Sequence, residues 1–214
     1  MPITESFLIE QGNTVQIEAI IGDCLKEILT SPVIEVSGRN YTITIDISNS
    51  FEKNVELNYS GDYIESGREY ISPKLKIAAG TRDGCIFTSI PDIENSSDAS
   101  GILVYKISAF SANRTQFEYS YIVIMWMIPS NNISSNFYAI GMKDNIDLDE
   151  INRDLFQEMY CGKETWFQRK NTMDIMHCEI TIGGISMLAS MNGGYNPYMK
   201  VDIRPSLSIC QSLE

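Results

Sequence analysis

The sequence predicts an all-β fold: a β-sandwich flanked by two α-helices, at about residues 14–30 and 147–160. Three observations predict it. Short strand-like runs, separated by turn residues, fill most of the chain. The run around Tyr121–Pro129 loses its polar alternation and needs cover on both faces, a second sheet on one side and something else, such as a helix, on the other. Two segments carry helical periodicity instead.

The first helix follows a capping box, Asn13-Thr-Val-Gln16, and ends at Ser31-Pro32. Ile17, Ile21, Cys24 and Ile28 form one apolar stripe, widened by Ile20 and Leu25, with Gln16, Glu18, Asp23 and Glu27 elsewhere. Strands are expected at Asn40–Ile47, Val55–Tyr59, Tyr70–Ala78 and Cys85–Ile90. Turns are expected at Gly61-Asp62, Ser66-Gly67, Gly80-Thr81 and Asp83-Gly84. Two long runs from Gly101 to Pro129 read as a hairpin about Ser111–Thr115, and Pro129 stops the second because proline has no N–H to donate. Phe137 and Tyr138 follow on what reads as a polar loop. The second helix has a capping box at Asp147–Glu150, an apolar stripe of Leu148, Ile151, Leu155 and Met159, and Gly162 as its C-cap. Strands close the chain at Asn171–Ile182, Ile185–Met191 and Tyr198–Ile203, with a turn at Asn192–Gly194.

The 214 residues suit a single domain, with 1–31 as a mobile amphipathic lead. Hydrophobic residues make up 43%, enough for a core, and net charge is −12 from 28 acids and 16 bases. That balance argues against a nucleic-acid partner and against electrostatic attraction to anionic lipid. The chain has one histidine, His177. A dyad with Cys161 or Cys178, or a zinc site built from them, has no supporting spacing. No phosphate loop or nucleophile elbow is present. The expectation is a non-enzyme without metal or cofactor. Met1–Asn13 lacks the pattern of a signal peptide, which leaves two origins open: removal before this numbering begins, or synthesis in the cytosol.

Several segments, in order, resemble the actinoporins, the pore-forming cytolysins of sea anemones, across about Thr14–Pro205. Tyr63-Ile-Glu-Ser-Gly67 is similar to that family's aromatic-x-x-Ser-Gly turn, and Gly101-Ile-Leu-Val-Tyr105 to a Gly-Val-Leu-x-Tyr strand. Ile128-Pro129 with Ser135-Asn136-Phe137-Tyr138 is similar to a Val-Pro followed by Ser-Asn-Trp-Trp. Ser190-Met191-Asn192 and Met199–Ile203 are similar to the last hairpin. Met127 stands where the family has serine, and Phe137 and Tyr138 replace two tryptophans.

The resemblance implies a secreted monomer that docks on a target-cell membrane, self-associates and inserts its N-terminal helix as a pore. It implies a lipid-headgroup site from Ser66, Pro129, Phe137, Tyr138, Phe156 and Tyr160. It also implies an inserting face of Ile17, Ile20, Ile21, Leu25 and Ile28. The acids Glu5, Glu10, Glu18, Asp23 and Glu27, against Lys26, would line a cation-selective lumen. The alternative is a lectin-like module, similar to the fungal fruit-body lectins, that binds a glycan or lipid without lysis. A third reading is a pore-former held dormant by redox or acid, with Cys24 as the tether.

Overall fold

A computed structural model describes residues 41–90, 98–109, 121–130, 135–173 and 177–206. The chain divides into two compact units, Met1–Ser37 and Gly38–Glu214. The first unit, with the expected helix at 14–30 and its Ile17, Ile20, Ile21, Leu25 and Ile28, lies outside the described residues. So does the expected turn at Ser111–Thr115.

Two six-stranded sheets form the second unit. Sheet A has the order β10-β11-β12-β1-β5-β3. Its strands are β1 (Thr42–Asn49), β3 (Arg68–Ile71), β5 (Thr81–Thr88), β10 (Cys178–Ile182), β11 (Ile185–Met191) and β12 (Tyr198–Pro205). Sheet B has the order β4-β2-β6-β7-β8-β9. Its strands are β2 (Val55–Ser66), β4 (Lys76–Ile77), β6 (Ala99–Ala109), β7 (Tyr121–Ile128), β8 (Phe137–Lys143) and β9 (Phe167–Asn171). The β1–β12 pair is parallel and the other pairs are antiparallel. One helix, α1 (Arg153–Cys161), is present among the described residues.

The cover demanded by β7 is there. Ile122, Ile124, Trp126 and Ile128 join the core between the sheets, with Ile43, Ile45, Phe87, Met187 and Val201. Val123 and Met125 point the other way, into a second cluster with Ile102, Val104, Ala139 and Phe167. There Leu155, Phe156 and Met159 of α1 close it. Alternate residues of a strand face opposite sides, so an unbroken apolar strand is the mark of two-sided burial.

Several expected elements need correction. Asn171–Ile182 is not one strand: Asn171 ends β9, Thr172 and Met173 turn, and β10 starts at Cys178. The second helix does not run 147–160. The Asp147–Glu150 box closes a single 3-10 turn, Leu148–Glu150, with the Asp147 N–H donating to Glu150 Oε2 at 2.9 Å. A new cap starts α1: Asn152 Oδ1 accepts from the N–H groups of Asp154 and Leu155 at 2.8 and 3.4 Å. Leu148 therefore falls outside the apolar stripe and is exposed. The expected strand Tyr70–Ala78 is split at Pro73 into β3 and β4, which belong to different sheets. Asp83-Gly84 is no turn but part of β5, opposite Ile47 and Asp46. Gly61-Asp62 lies inside β2 as well. There the register slips between Tyr59 and Gly61, and Gly61 takes φ +152°, a β-bulge rather than a turn.

Candidate functional site

That bulge sets up the site. Tyr59 lies opposite Tyr105 and packs on the inter-sheet core, whereas Gly61 and Tyr63 lie opposite Val104 and Ile102, on the helix-covered face. The extra residue re-aims the rest of β2. A second slip, between Ile64 and Ser66, places Ser66 opposite Ser100. The register then runs Ser66, Ser100, Met127, Phe137, Asn171 as one row across sheet B. Residues directly opposite one another share a face.

Four rings form a chain on this face, along and beyond the C-terminal half of α1. Tyr63 meets Phe156 at 6.5 Å, Phe156 stacks on Tyr160 at 5.9 Å with the planes 9° apart, and Phe137 meets Tyr160 edge-on at 6.0 Å. Phe156 is buried, while Tyr63, Tyr160 and Phe137 are half-buried. The Tyr63 hydroxyl donates to Glu65 Oε2 at 2.5 Å, and Glu65 pairs with Arg153 at 3.2 Å. The carboxylate that accepts from it holds the Tyr63 phenol above its ordinary pKa. The Arg169 guanidinium donates to the carbonyl oxygens of Met159, at 3.0 Å, and Tyr160. A cation at the carbonyl end of a helix suits its dipole and fixes where Tyr160 sits.

Of the expected headgroup residues, Ser66, Pro129, Phe137, Phe156 and Tyr160 come to the same end of sheet B. Ser66 Oγ donates to the Asp98 carbonyl at 3.0 Å, and Asp98 Oδ1 accepts from the N–H of Ser130, the residue after Pro129, at 2.6 Å. Tyr138 does not join them. Phe137 and Tyr138 open β8 instead of lying on a loop, so their side chains diverge, and Tyr138 is 2% exposed in the core between the sheets. His177 and Cys178 diverge in the same way: His177 is exposed and 3.7 Å from Glu179, while Cys178 is buried and donates to the Gln168 carbonyl at 3.0 Å. Burial pushes the Cys178 thiol up to about 11, away from the thiolate a nucleophile needs.

The same end carries a platform that the sequence reading passed over. Tyr41 donates its hydroxyl to Ser130 O at 2.6 Å, its N–H to Ser89 Oγ at 3.0 Å, and accepts from the Ser89 N–H at 2.7 Å. Its ring meets that of Tyr195 edge-on at 5.7 Å. Asn136 Nδ2 donates to Gly194 O at 2.9 Å, and Asn136 O accepts from the Thr172 N–H at 3.0 Å. These bonds tie together the chain segments that hold Ile90, Tyr195 and Met173, which are 52%, 41% and 78% exposed. Ser130–Asn136 and Met191–Tyr198 contain no charged residue. The available signal was Tyr195, beside the Asn192–Gly194 turn in that uncharged stretch.

No protein-family model matches the chain, and no curated protein matches it by sequence. Among solved structures, the chain is similar to the lipid binding protein Nakanori, with a TM-score of 0.59 and 10% identity over 92% of this chain and 84% of that one. A lectin of Xerocomus chrysenteron matches with a TM-score of 0.43 and 12% identity, over 77% and 99% of the two chains. IP-1A from Alcaligenes faecalis matches at 0.40 and 11%, over 78% and 94%. At these identities the first likeness speaks to the fold.

Proposed function

We propose that this chain is a lipid-binding protein, not an enzyme, that meets a target-cell membrane with the end of the sandwich built from Ser66, Pro129, Phe137 and Tyr160. The observation that carries the reading is the meeting, at one end, of the ring chain with the Tyr41–Ser130, Tyr41–Tyr195 and Asn136–Gly194 contacts and their uncharged side chains. Half-buried aromatic groups with a polar tip suit the boundary between water and hydrocarbon. The lipid-binding neighbour of similar fold supports it, as do the segments that resemble pore-forming cytolysins. In the fuller form of the proposal the chain is secreted, copies gather on the membrane, and the amphipathic stretch 14–30 enters the bilayer as a helix. A helix suits that step because it satisfies its own backbone groups in lipid.

Liposome flotation combined with dye release tests both levels. The full chain and a chain lacking residues 1–31 should both float with vesicles, and only the full chain should release dye. Flotation without release by the full chain ends the pore reading and leaves lipid binding. Failure of both chains to float on any lipid composition ends the proposal.

A further inference from the structure

We infer that the partner of this end is the surface of an electrically neutral bilayer, entered by the apolar tips Ile90, Met173 and Tyr195 and met without a requirement for choline. The inference rests on the lipid-binding reading above and specifies its chemistry.

The inner member of the ring chain, Phe156, is closed off. A quaternary ammonium binds over open ring faces, within about 6 Å of a centroid. Here one face of Phe156 is taken by Tyr160, which lies 5.9 Å away and nearly parallel, and Phe156 is 2% exposed. The edge of the Phe137–Tyr160 pair fills the next position. Three groups that could hold a headgroup phosphate are engaged within the protein, while Arg68 beside Gly67 is exposed. Ser66 Oγ donates to Asp98 O, Arg169 donates to the end of α1, and Arg153 pairs with Glu65. Between Ser66 and Phe137 the row is completed by Ser100, which is buried, and by the thioether of Met127.

The platform beside it has the opposite character. Six large hydrophobic side chains are exposed among the described residues, and three of them, Ile90, Met173 and Tyr195, stand at this one end. They come from three separate connections that the Ser89–Tyr41–Tyr195 and Gly194–Asn136–Thr172 contacts hold together. Three exposed tips on connections tied together at one end make a footprint, where single exposed leucines elsewhere do not. The stretches 130–136 and 191–198 supply amides and hydroxyls without charge, which suits the uncharged polar zone of a bilayer, and the charged groups nearby, Arg68 and Asp98, are of opposite sign. A net charge of −12 makes an anionic surface repulsive over roughly a Debye length.

The test is partition of the full chain onto vesicles of dioleoylphosphatidylcholine and onto vesicles of its N,N-dimethylethanolamine analogue, which has the same tails and no quaternary ammonium. Affinities should agree within about twofold, and free phosphocholine should not compete. Adding phosphatidylserine should weaken binding at low salt, with recovery at high salt. Met173→Asp and Ile90→Asp should each weaken binding by about tenfold, and both positions are more than half exposed, so the fold and its circular dichroism should stay intact. A preference of about tenfold for choline lipid, or competition by phosphocholine, overturns the inference while leaving lipid binding in place. Stronger binding to phosphatidylserine, or folded aspartate variants that bind normally, overturns it as well. Absence of binding to every vesicle overturns the reading beneath it.

Discussion

The two faces of sheet B are both apolar, and they are covered in different ways. The inner face meets a whole second sheet, so Ile122, Ile124, Trp126 and Ile128 are sealed along the full length of β7. The outer face meets one nine-residue helix and the flank of Trp166. That cover closes over Val123 and Met125 and runs out at Met127, Phe137 and Tyr160, which are half-buried. The difference teaches where binding can reside on this sandwich. Core packing needs complete closure, and a surface site needs the place where closure stops while the supporting residues remain fixed. Glu65, Asn152 and Arg169 fix this one by pinning both ends of α1 to the sheet or the turn before it.

Three measurements break or sharpen the contrast. Gly101, on the inner face, has no space for a methyl group: a Cβ there would lie 2.5 Å from the Tyr63 carbonyl oxygen and 2.9 Å from Trp126. Gly101→Ala should cost about 3 kcal/mol or more, seen as a lower urea midpoint or loss of folded protein. A near-neutral result would mean that the inner face is looser than the outer.

On the outer face, Leu155→Ala should cost about 2–4 kcal/mol, because Leu155 is buried under α1. Leu148→Ser, on the same stripe by sequence, should cost less than about 0.5 kcal/mol because Leu148 is 72% exposed. Equal costs would show that the 3-10 turn packs as the sequence pattern suggests.

Alkaline pH should act through the inner face and the open face of sheet A. Burial raises the Cys178 thiol to about 11, and burial together with the hydrogen bond to Asp46 at 2.6 Å raises the Tyr198 phenol. Each group is protonated in the fold at pH values where the unfolded chain has lost the proton. Their contribution is therefore complete below the unfolded values and is lost as pH rises. For Cys178 that window is from about 9 to about 11 and is worth on the order of 2–3 kcal/mol. Urea midpoints measured across that range should fall for the parent chain and fall less for Cys178→Ala.

The alternation of Tyr41–Ile47, the unbroken run of β7 and the stripe of Leu155 and Met159 made the sandwich, its most buried strand and its covering helix legible without coordinates. Local periodicity reports how many sides of an element are buried, because side-chain direction repeats with the backbone. Resemblance to a known family, and not periodicity, put Ser66, Pro129, Phe137 and Tyr160 forward. What periodicity could not carry was the partner of each element. The bulge at Gly61 turns Tyr63 from the core side to the helix side, and a sequence reader sees only a glycine and an aspartate that look like a turn. Strand pairing sends Tyr138 inward beside an outward Phe137. Contacts between residues far apart in the chain, Tyr41 with Ser130 and Asn136 with Gly194, gather Ile90, Met173 and Tyr195 into one platform. Such contacts depend on which strands become neighbours, a property of the whole chain's packing that no local stretch of residues encodes.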